Sequence, residues 1–354
     1  MFMGKKQKKL LTSIEVCAGA GGQALGLEMA GFEHVALVEN DARCCETLRL
    51  NRPHWNVLEE DLNKFDGTPY KGVDLVAGGV PCPPFSHAGK QLGHLDDRDL
   101  FPAALRLVET TKPKAVLLEN VRGLLDPKFA DYREQILDQL DKLGYKSEWR
   151  LIQAATHGVP QLRPRAILVA LRPEYRDYFK WPEPTHADPE SYVSVGEALY
   201  EQMASNGWKK ADEWKATANK VAPTLVGGSK KHGGADLGPT RAKAAWAAMG
   251  VDGKGVADEA PSADFEGTPR ITVQMAAIVQ GFPKDWKLAG RKTSAYKQVG
   301  NAFPPPVAAA VGIAIQQALM LASQAATATA TDDDNDEATS QVATFASSVE
   351  PHAV

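Results

Sequence analysis

The run Val73-Asp74-Leu75-Val76-Ala77, continuing directly into Gly78-Gly79-Val80-Pro81-Cys82-Pro83-Pro84-Phe85-Ser86, constrains the fold more than any other stretch of the chain. A short apolar run bounded by glycines reads as a strand buried on both faces, which requires a parallel sheet covered by helices. The loop after it leaves the carboxyl edge of that sheet, where open α/β folds bind their ligands. Three prolines fix φ near −65° and remove amide donors, so Cys82 is held on a stiff loop. A stiff, presented thiol suits nucleophilic catalysis. The competing reading is a small buried hydrophobe in a proline-rich turn. The surrounding sequence decides between the two.

Residues 13–16 read as a first strand, followed by the glycine-rich turn Cys17-Ala18-Gly19-Ala20-Gly21-Gly22 and an amphipathic helix over 23–30. Glycines there let the backbone approach a nucleotide at a helix amino end. A second strand over 34–38 ends at Glu39, about 20 residues past the turn, where an acid can accept from ribose hydroxyls. Asp61, beyond a third strand over 55–58, faces the same crevice. This pattern serves a nicotinamide dinucleotide or S-adenosylmethionine equally, and a tight turn without ligand remains open. Residues 86–99 form a polar, glycine-containing segment that suits a lid. A strand over 115–118 ends in Glu119-Asn120-Val121, placing a carboxylate on the edge that presents Cys82. Gln161-Leu162-Arg163-Pro164-Arg165 then puts two arginines on one side of an extended chain, suited to a carbonyl or phosphate.

The charge balance needs dividing before it says anything about partners. The net charge of 354 residues is −4, yet six acids and no Lys or Arg lie from Ser323 onward, and without that tail 40 basic residues face 38 acidic ones. The tail, rich in Ala, Thr, Ser and Asp, is expected to be disordered. Residues 205–254 show no sustained periodicity but many glycines and lysines, and Gly227-Gly228-Ser229-Lys230-Lys231-His232-Gly233-Gly234 is a donor-rich loop suited to phosphates and base edges. Cys17, Cys44, Cys45 and Cys82 show no metal-ligand or disulfide spacing, so reduced thiols and no metal are expected. The basic segment 1–11 lacks the apolar core of a signal peptide, and no apolar run is read as a membrane span. A cytoplasmic protein follows.

Five blocks in order, the Cys17–Gly22 turn, Gly79–Ser86, Glu119-Asn120-Val121, Gln161-x-Arg163-x-Arg165 and Gly300-Asn301-x-x-Pro304-Pro305, resemble the DNA cytosine-5 methyltransferase family of the bacterial modification type. The resemblance runs from about residue 13 to 321. It implies an α/β fold, a Rossmann-like S-adenosylmethionine-dependent methyltransferase sheet with helices on both faces, plus a small, mostly irregular or β target-recognition domain. The domains expected are a basic arm at 1–11, a catalytic domain at 12–185, a recognition domain at 186–270, a hinge helix and return to the catalytic domain at 271–322, and the tail at 323–354. Three positions depart from the family pattern: Asn40 stands where an aromatic is common, Pro83 where Gln is, and Val273-Gln274-Met275 in place of an Arg-Glu pair.

The resemblance also assigns roles. Cys82 adds to carbon 6 of cytosine, Glu119 acts as an acid at ring nitrogen 3, Arg165 and Arg163 hold the carbonyl, and Asn120 fixes the loop. Cofactor contacts fall to Cys17, Ala18, Gly19, Gly21, Gly22, Glu39, Asn40, Asp61, Leu62, Pro81, Leu100 and Asn301. DNA contacts fall to Ser86, Lys90, Gln91, Arg98, Lys230, Lys231, His232 and Arg241. The cofactor is S-adenosyl-L-methionine, with S-adenosylhomocysteine as product. The partner is double-stranded DNA from which a cytosine is flipped, with a cognate restriction endonuclease acting separately as a second allowed partner. A nucleoid-associated monomer is expected. A transfer-RNA methyltransferase and a silent binding module are the competing readings. The first lacks its Cys-Phe-Thr segment here, and the second is disfavoured by the intact Cys82, Glu119 and Arg165.

Overall fold

The computed structural model describes residues 10–81, 99–227 and 235–346, with side chains through residue 328. Five parallel strands form the body of the sheet: β1 (Leu11–Val16), β2 (Phe32–Glu39), β3 (Val57–Glu59), β4 (Leu75–Gly78) and β5 (Ala115–Val121). Past β5 the chain adds β6 (Lys146–Gln153) and β8 (Pro164–Leu171), and β8 runs antiparallel to both β5 and β6. The spatial order is β3-β2-β1-β4-β5-β8-β6. Strand order reverses at β1, whose neighbours are β2 on one side and β4 on the other. A crevice must open there, because the connections from the two strands leave in opposite directions.

Helices cover both faces, as the continuous apolar runs of β4, β5 and β8 require. On one face Val76, Val116 and Leu168 pack with α3 (Phe101–Thr111) and α4 (Ala130–Lys142). On the other, Leu75, Leu117 and Val169 pack with α1 (Gly22–Met29) and α11 (Pro305–Ala346). The two helices of that face approach closely. A Cβ on Gly26 of α1 would lie 2.5 Å from the Pro305 carbonyl oxygen, and one on Gly312 of α11 would lie 2.8 Å from the Ala30 Cβ. The chain's carboxyl-terminal helix thus returns onto α1 and the sheet.

Several expectations need correction. Residues 323–354 were expected to be disordered, yet helix α11 continues to Ala346. Alanine has the highest intrinsic helix propensity, and low apolar content argues against packing rather than against helix. No membrane-length apolar run was expected, but residues 292–328 include a window with mean hydropathy 1.5. More than half of that window is buried within the protein, as for a core helix.

The region 186–270 was expected to be irregular or β. Most of its described residues are irregular, as expected, but its regular elements are helices rather than strands: α6 (Val195–Ala204), α7 (Ala211–Thr217) and α8 (Thr240–Ala247). Its one named strand, β9 (Ala222–Pro223), pairs with the two-residue β7 (Gln161–Leu162). Helix α6 carries a capping box in which the Ser194 hydroxyl accepts from the Glu197 amide and Glu197 accepts from the Ser194 amide. These helices share one apolar core with the glycine turn, Trp55, Trp286 and helix α9 (Val273–Val279).

Candidate active site

At the reversal point a cleft of about 350 Å³ opens between the carboxyl ends of β1, β2 and β4. Cys17, Ala18, Gly19, Gly22, Glu39, Asn40, Leu62, Pro81, Leu100 and Asn301 line it, as does Glu119. Gly19 has φ +54 and Cys17 φ +52, so the turn after β1 uses left-handed backbone at two of its first three residues. That geometry aims the Gly19 amide at the Glu39 carboxylate, which accepts from it at 2.7 Å while its other oxygen accepts from the Asp41 amide at 2.8 Å. Burial pushes the Cys17 thiol up to about 12, with the Glu39 and Glu15 charges adding to it, so this cysteine is a wall and not a nucleophile.

Two expected cofactor residues are not among those lining the cleft. Gly21 caps α1 at φ +83 and is packed from behind, where a Cβ would lie 2.6 Å from Leu48 and 3.2 Å from Trp286. It makes the turn possible without forming the wall. Asp61 Oδ1 accepts from the Asn63 amide at 2.9 Å while its charge acts on Cys17 of the wall, and its predecessor Glu60 lines the cleft itself. A strand end fixes which residues point inward only to within one position, so sequence spacing could not separate the two.

Sequence reading also missed wall residues that come from distant segments. Ser294, Lys297 and Gln298 enter from α10 (Lys292–Asn301), and Ala302 and Phe303 follow it. Glu15 and Gln23 lie at the inner wall, and both are almost fully buried. One oxygen of Glu15 and both polar atoms of the Gln23 side chain have no partner among the described residues. Burial raises the Glu15 carboxyl well above its ordinary range, opposed by a hydrogen bond from the Ala24 amide. Unpaired buried polar atoms are costly and rare, and three in one wall mark where a ligand's polar groups fit. Among the described residues the wall carries the acidic side chains of Glu39, Asp41 and Glu60, with Glu15 and Glu119 holding their protons more tightly, against the ammonium of Lys297. Its chemistry favours a cationic guest with both donor and acceptor groups.

The cleft reaches the end of β5 at Glu119. The register Val121↔Arg165 brings the ends of β5 and β8 together, and Arg165 Nε lies 2.7 Å from Glu119 Oε1, both side chains being nine-tenths buried. Burial pushes the Glu119 carboxyl up, and the Arg165 and Arg163 guanidinium groups only partly reverse it. Burial likewise lowers Arg165. Both partners therefore pay for leaving water, as a pair in a low-dielectric site must. Gly79 passes close by, since a Cβ there would lie 3.3 Å from Glu119 Oε2. Asn120 Nδ2 donates to the Val80 carbonyl at 2.8 Å, and the Leu100 amide donates to the Pro81 carbonyl at 3.2 Å. These bonds pin the chain on either side of residues 82–98.

Arg163 is corrected from a substrate contact to a structural clamp. It is 1% exposed, and Nη1 donates to the Leu225 carbonyl at 2.6 Å. Nη2 donates to the Gly300 and Ala302 carbonyls at 2.7 and 3.0 Å. Gln161 joins the clamp, accepting from the Leu225 amide at 2.8 Å and donating to Gln280 Oε1 at 2.8 Å. The charges of both arginines act on Glu119, but among the described residues it is Arg165 that pairs with the strand-end carboxylate. Arg241 is exposed on α8. Cys82, Ser86, Lys90, Gln91, Arg98, Lys230, Lys231 and His232 lie outside the described residues.

Comparison with known proteins follows the same outline. The sequence model of the C-5 cytosine-specific DNA methylases matches residues 11–317. The chain is 55% identical over 311 residues to the type II methyltransferase M.NgoMIV of Neisseria gonorrhoeae, covering 87% of this chain and 98% of that one. It is 55% identical over 315 residues to M.NaeI of Lentzea aerocolonigenes, covering 87% and 75%. Among solved structures, the Entamoeba histolytica methyltransferase EhMeth aligns with TM-score 0.62 at 14% identity, covering 88% and 99%. The S. pombe Dnmt2 methyltransferase aligns with TM-score 0.56 at 16% identity, covering 88% and 98%, which speaks to the fold alone.

Proposed function

The chain belongs to the C-5 cytosine-specific DNA methylase family, and from that premise we propose that it flips one cytosine of a short duplex site into the cleft mouth and methylates carbon 5 by transient thiol addition. Buried Glu119 paired with Arg165, one strand away from the chain that leads to Cys82, is the observation that carries this reading. S-adenosylmethionine, when bound, supplies an electrophilic methyl group. The acidic wall suits its sulfonium and ammonium charges. Glu15 and Gln23 are the residues with unpaired atoms to hold its amino-acid end, and Glu39 with Asn40 lies on the wall at the end of β2, where ribose is held in such folds.

Cys82, assigned on sequence, adds as thiolate to carbon 6, and the electron pair displaced from the 5,6 bond makes carbon 5 nucleophilic. The ring gathers negative charge as that bond forms. Glu119 meets it with a proton held at ring nitrogen 3, which its raised affinity for protons favours. Arg165 is proposed to hold the carbonyl oxygen while keeping Glu119 in place. Asn120 holds the Val80 carbonyl, and so sets where the loop to Cys82 begins. After methyl transfer water takes the carbon 5 proton, its bonding electrons restore the 5,6 double bond, the carbon–sulfur bond breaks, and the thiolate returns. A base stacked in a duplex cannot reach a group this buried, so flipping is required.

The relatives named type II methyltransferases support a modification role beside a restriction endonuclease, and the chain is proposed to act as a monomer on chromosomal DNA. The recognition domain is assigned to residues 186–270 and the catalytic domain to 12–185 with the return at 271–322. Contacts to the duplex are assigned to Ser86, Lys90, Gln91, Arg98, Lys230, Lys231, His232 and Arg241. Methyl transfer from labelled S-adenosylmethionine, offered in parallel to unmethylated genomic DNA and bulk transfer RNA, tests the reading. Label at one short DNA sequence, lost in Cys82→Ser, is expected. Label confined to RNA overturns the substrate, and full activity in Cys82→Ser overturns the mechanism.

A further inference from the structure

The last described residues before the basic loop of the recognition region end directly against the cofactor wall. A Cβ on Gly227 would meet Asn301 Oδ1 at 2.3 Å, Cγ at 3.0 Å and Nδ2 at 3.3 Å, and those three are its nearest atoms. The contact is reciprocal. A Cβ on Gly300 would lie 2.5 Å from the Gly227 amide nitrogen and 2.5 Å from the Val226 carbonyl carbon, so the two backbones touch with only glycine between them. Asn301 in turn lines the cleft. The spacing of the two segments is fixed from beneath, because Arg163 bonds the Leu225 carbonyl with one nitrogen and the Gly300 and Ala302 carbonyls with the other.

We propose that Gly227 is a positioning residue for Asn301, so that duplex held by the recognition region and cofactor held in the cleft are coupled through this one glycine–asparagine contact. The inference rests on the reading that the cleft holds S-adenosylmethionine. Asn301 is exposed and presents the end of its side chain to residue 227, so that side chain turns when residues 226–227 advance on it. The coupling is reciprocal by thermodynamic necessity: whatever DNA does to cofactor affinity, cofactor does to DNA affinity. Asn301 thereby reports at the cofactor whether the recognition segment is seated.

Calorimetric titration of the full chain with S-adenosylhomocysteine tests this without turnover. Gly227→Ala should displace Asn301 and weaken binding about tenfold, within the usual range of coupling between sites. Asn301→Ala should weaken it comparably. The double variant should bind no worse than Asn301→Ala alone, since that change removes all three atoms the new methyl would strike. With a duplex carrying the site mapped by the methylation experiment, wild type should bind the product more tightly and Gly227→Ala should lose most of that gain.

Unchanged affinity in Gly227→Ala overturns the proposal, as do additive effects in the double variant or a DNA-induced gain that survives the substitution. A fold lost in Gly227→Ala and not restored by Asn301→Ala overturns it too, because the glycine would then be meeting something else. Failure of the wild type itself to bind S-adenosylhomocysteine defeats the functional reading instead, and the inference falls with it.

Discussion

Replacing Gly26 by alanine sets two effects of opposite sign against each other. Gly26 lies inside α1, and exchanging a helical glycine for alanine ordinarily stabilises by about 1 kcal/mol through backbone entropy. Here the added methyl would lie 2.5 Å from the Ala308 Cβ, 2.5 Å from the Pro305 carbonyl oxygen and 2.7 Å from the Ala309 amide nitrogen. Two of those atoms are backbone of the crossing helix, so no rotamer change relieves the contact. To restore ordinary separation α11 must back away by roughly 1 Å, which forfeits a quarter to a half of the dispersion attraction along the seam. That seam includes Leu27, Val307, Ala308, Val311 and Ile315, all essentially buried. Overpacking of this kind costs about 1–3 kcal/mol, occasionally more, and rigid backbone on both sides puts this site at the upper end. The net expectation is a loss of about 2 kcal/mol. Phe303, on the wall and just ahead of α11, should move with the helix, so S-adenosylhomocysteine affinity should fall as well. Urea unfolding followed by circular dichroism reads the first effect as a lowered midpoint at unchanged slope, and calorimetry reads the second. A raised midpoint would refute the reasoning, because entropy would then have outweighed the close approach.

Glu119→Gln should reduce methyl transfer by at least about a hundredfold, the usual contribution of a positioned acid, while S-adenosylhomocysteine still binds. Its effect on stability has a definite sign. A carboxyl whose folded affinity for protons is raised stabilises fully below its unfolded value near 4.5, and that contribution is lost as pH rises through the folded value. Stability against pH should therefore fall less steeply above pH 4.5 in the variant, by up to about 1.4 kcal/mol per pH unit, and an unchanged curve would show Glu119 to be ionised throughout. Arg163→Met should lower stability by about 2–4 kcal/mol in denaturant titration, because the Leu225 and Gly300 carbonyls lose the Arg163 donor while Ala302 keeps only that of Gln280; a loss of activity at full stability would instead return Arg163 to the substrate. Asn120→Ala should lower kcat more than it raises KM for S-adenosylmethionine, since it frees the Val80 carbonyl at the base of the loop to Cys82; the reverse split would place Asn120 at the cofactor.

The α/β class, the order of the strands along the chain and the placing of Glu119 and the glycine turn on one sheet edge were legible in the sequence. Their signals are local: a doubly covered strand needs a continuous apolar run, and a left-handed turn needs glycine at Gly19 or Gly21. One structural feature was legible but passed over. Ser194-x-x-Glu197 announced the start of α6 in a stretch read as irregular.

What the sequence could not decide is which side chains meet across distance. Glu60 and Asp61 are adjacent and alike, and only the end of β3 chooses between them. Arg163 and Arg165 share a motif and a side, yet the antiparallel register of β8 on β5 gives Glu119 to one and three distant carbonyls to the other. Lys297, Phe303 and the Gly227–Asn301 contact join segments separated by 70 residues or more of chain. Local propensity and periodicity are written in a few neighbouring residues, whereas close approach and burial belong to pairs that only the folded chain brings together.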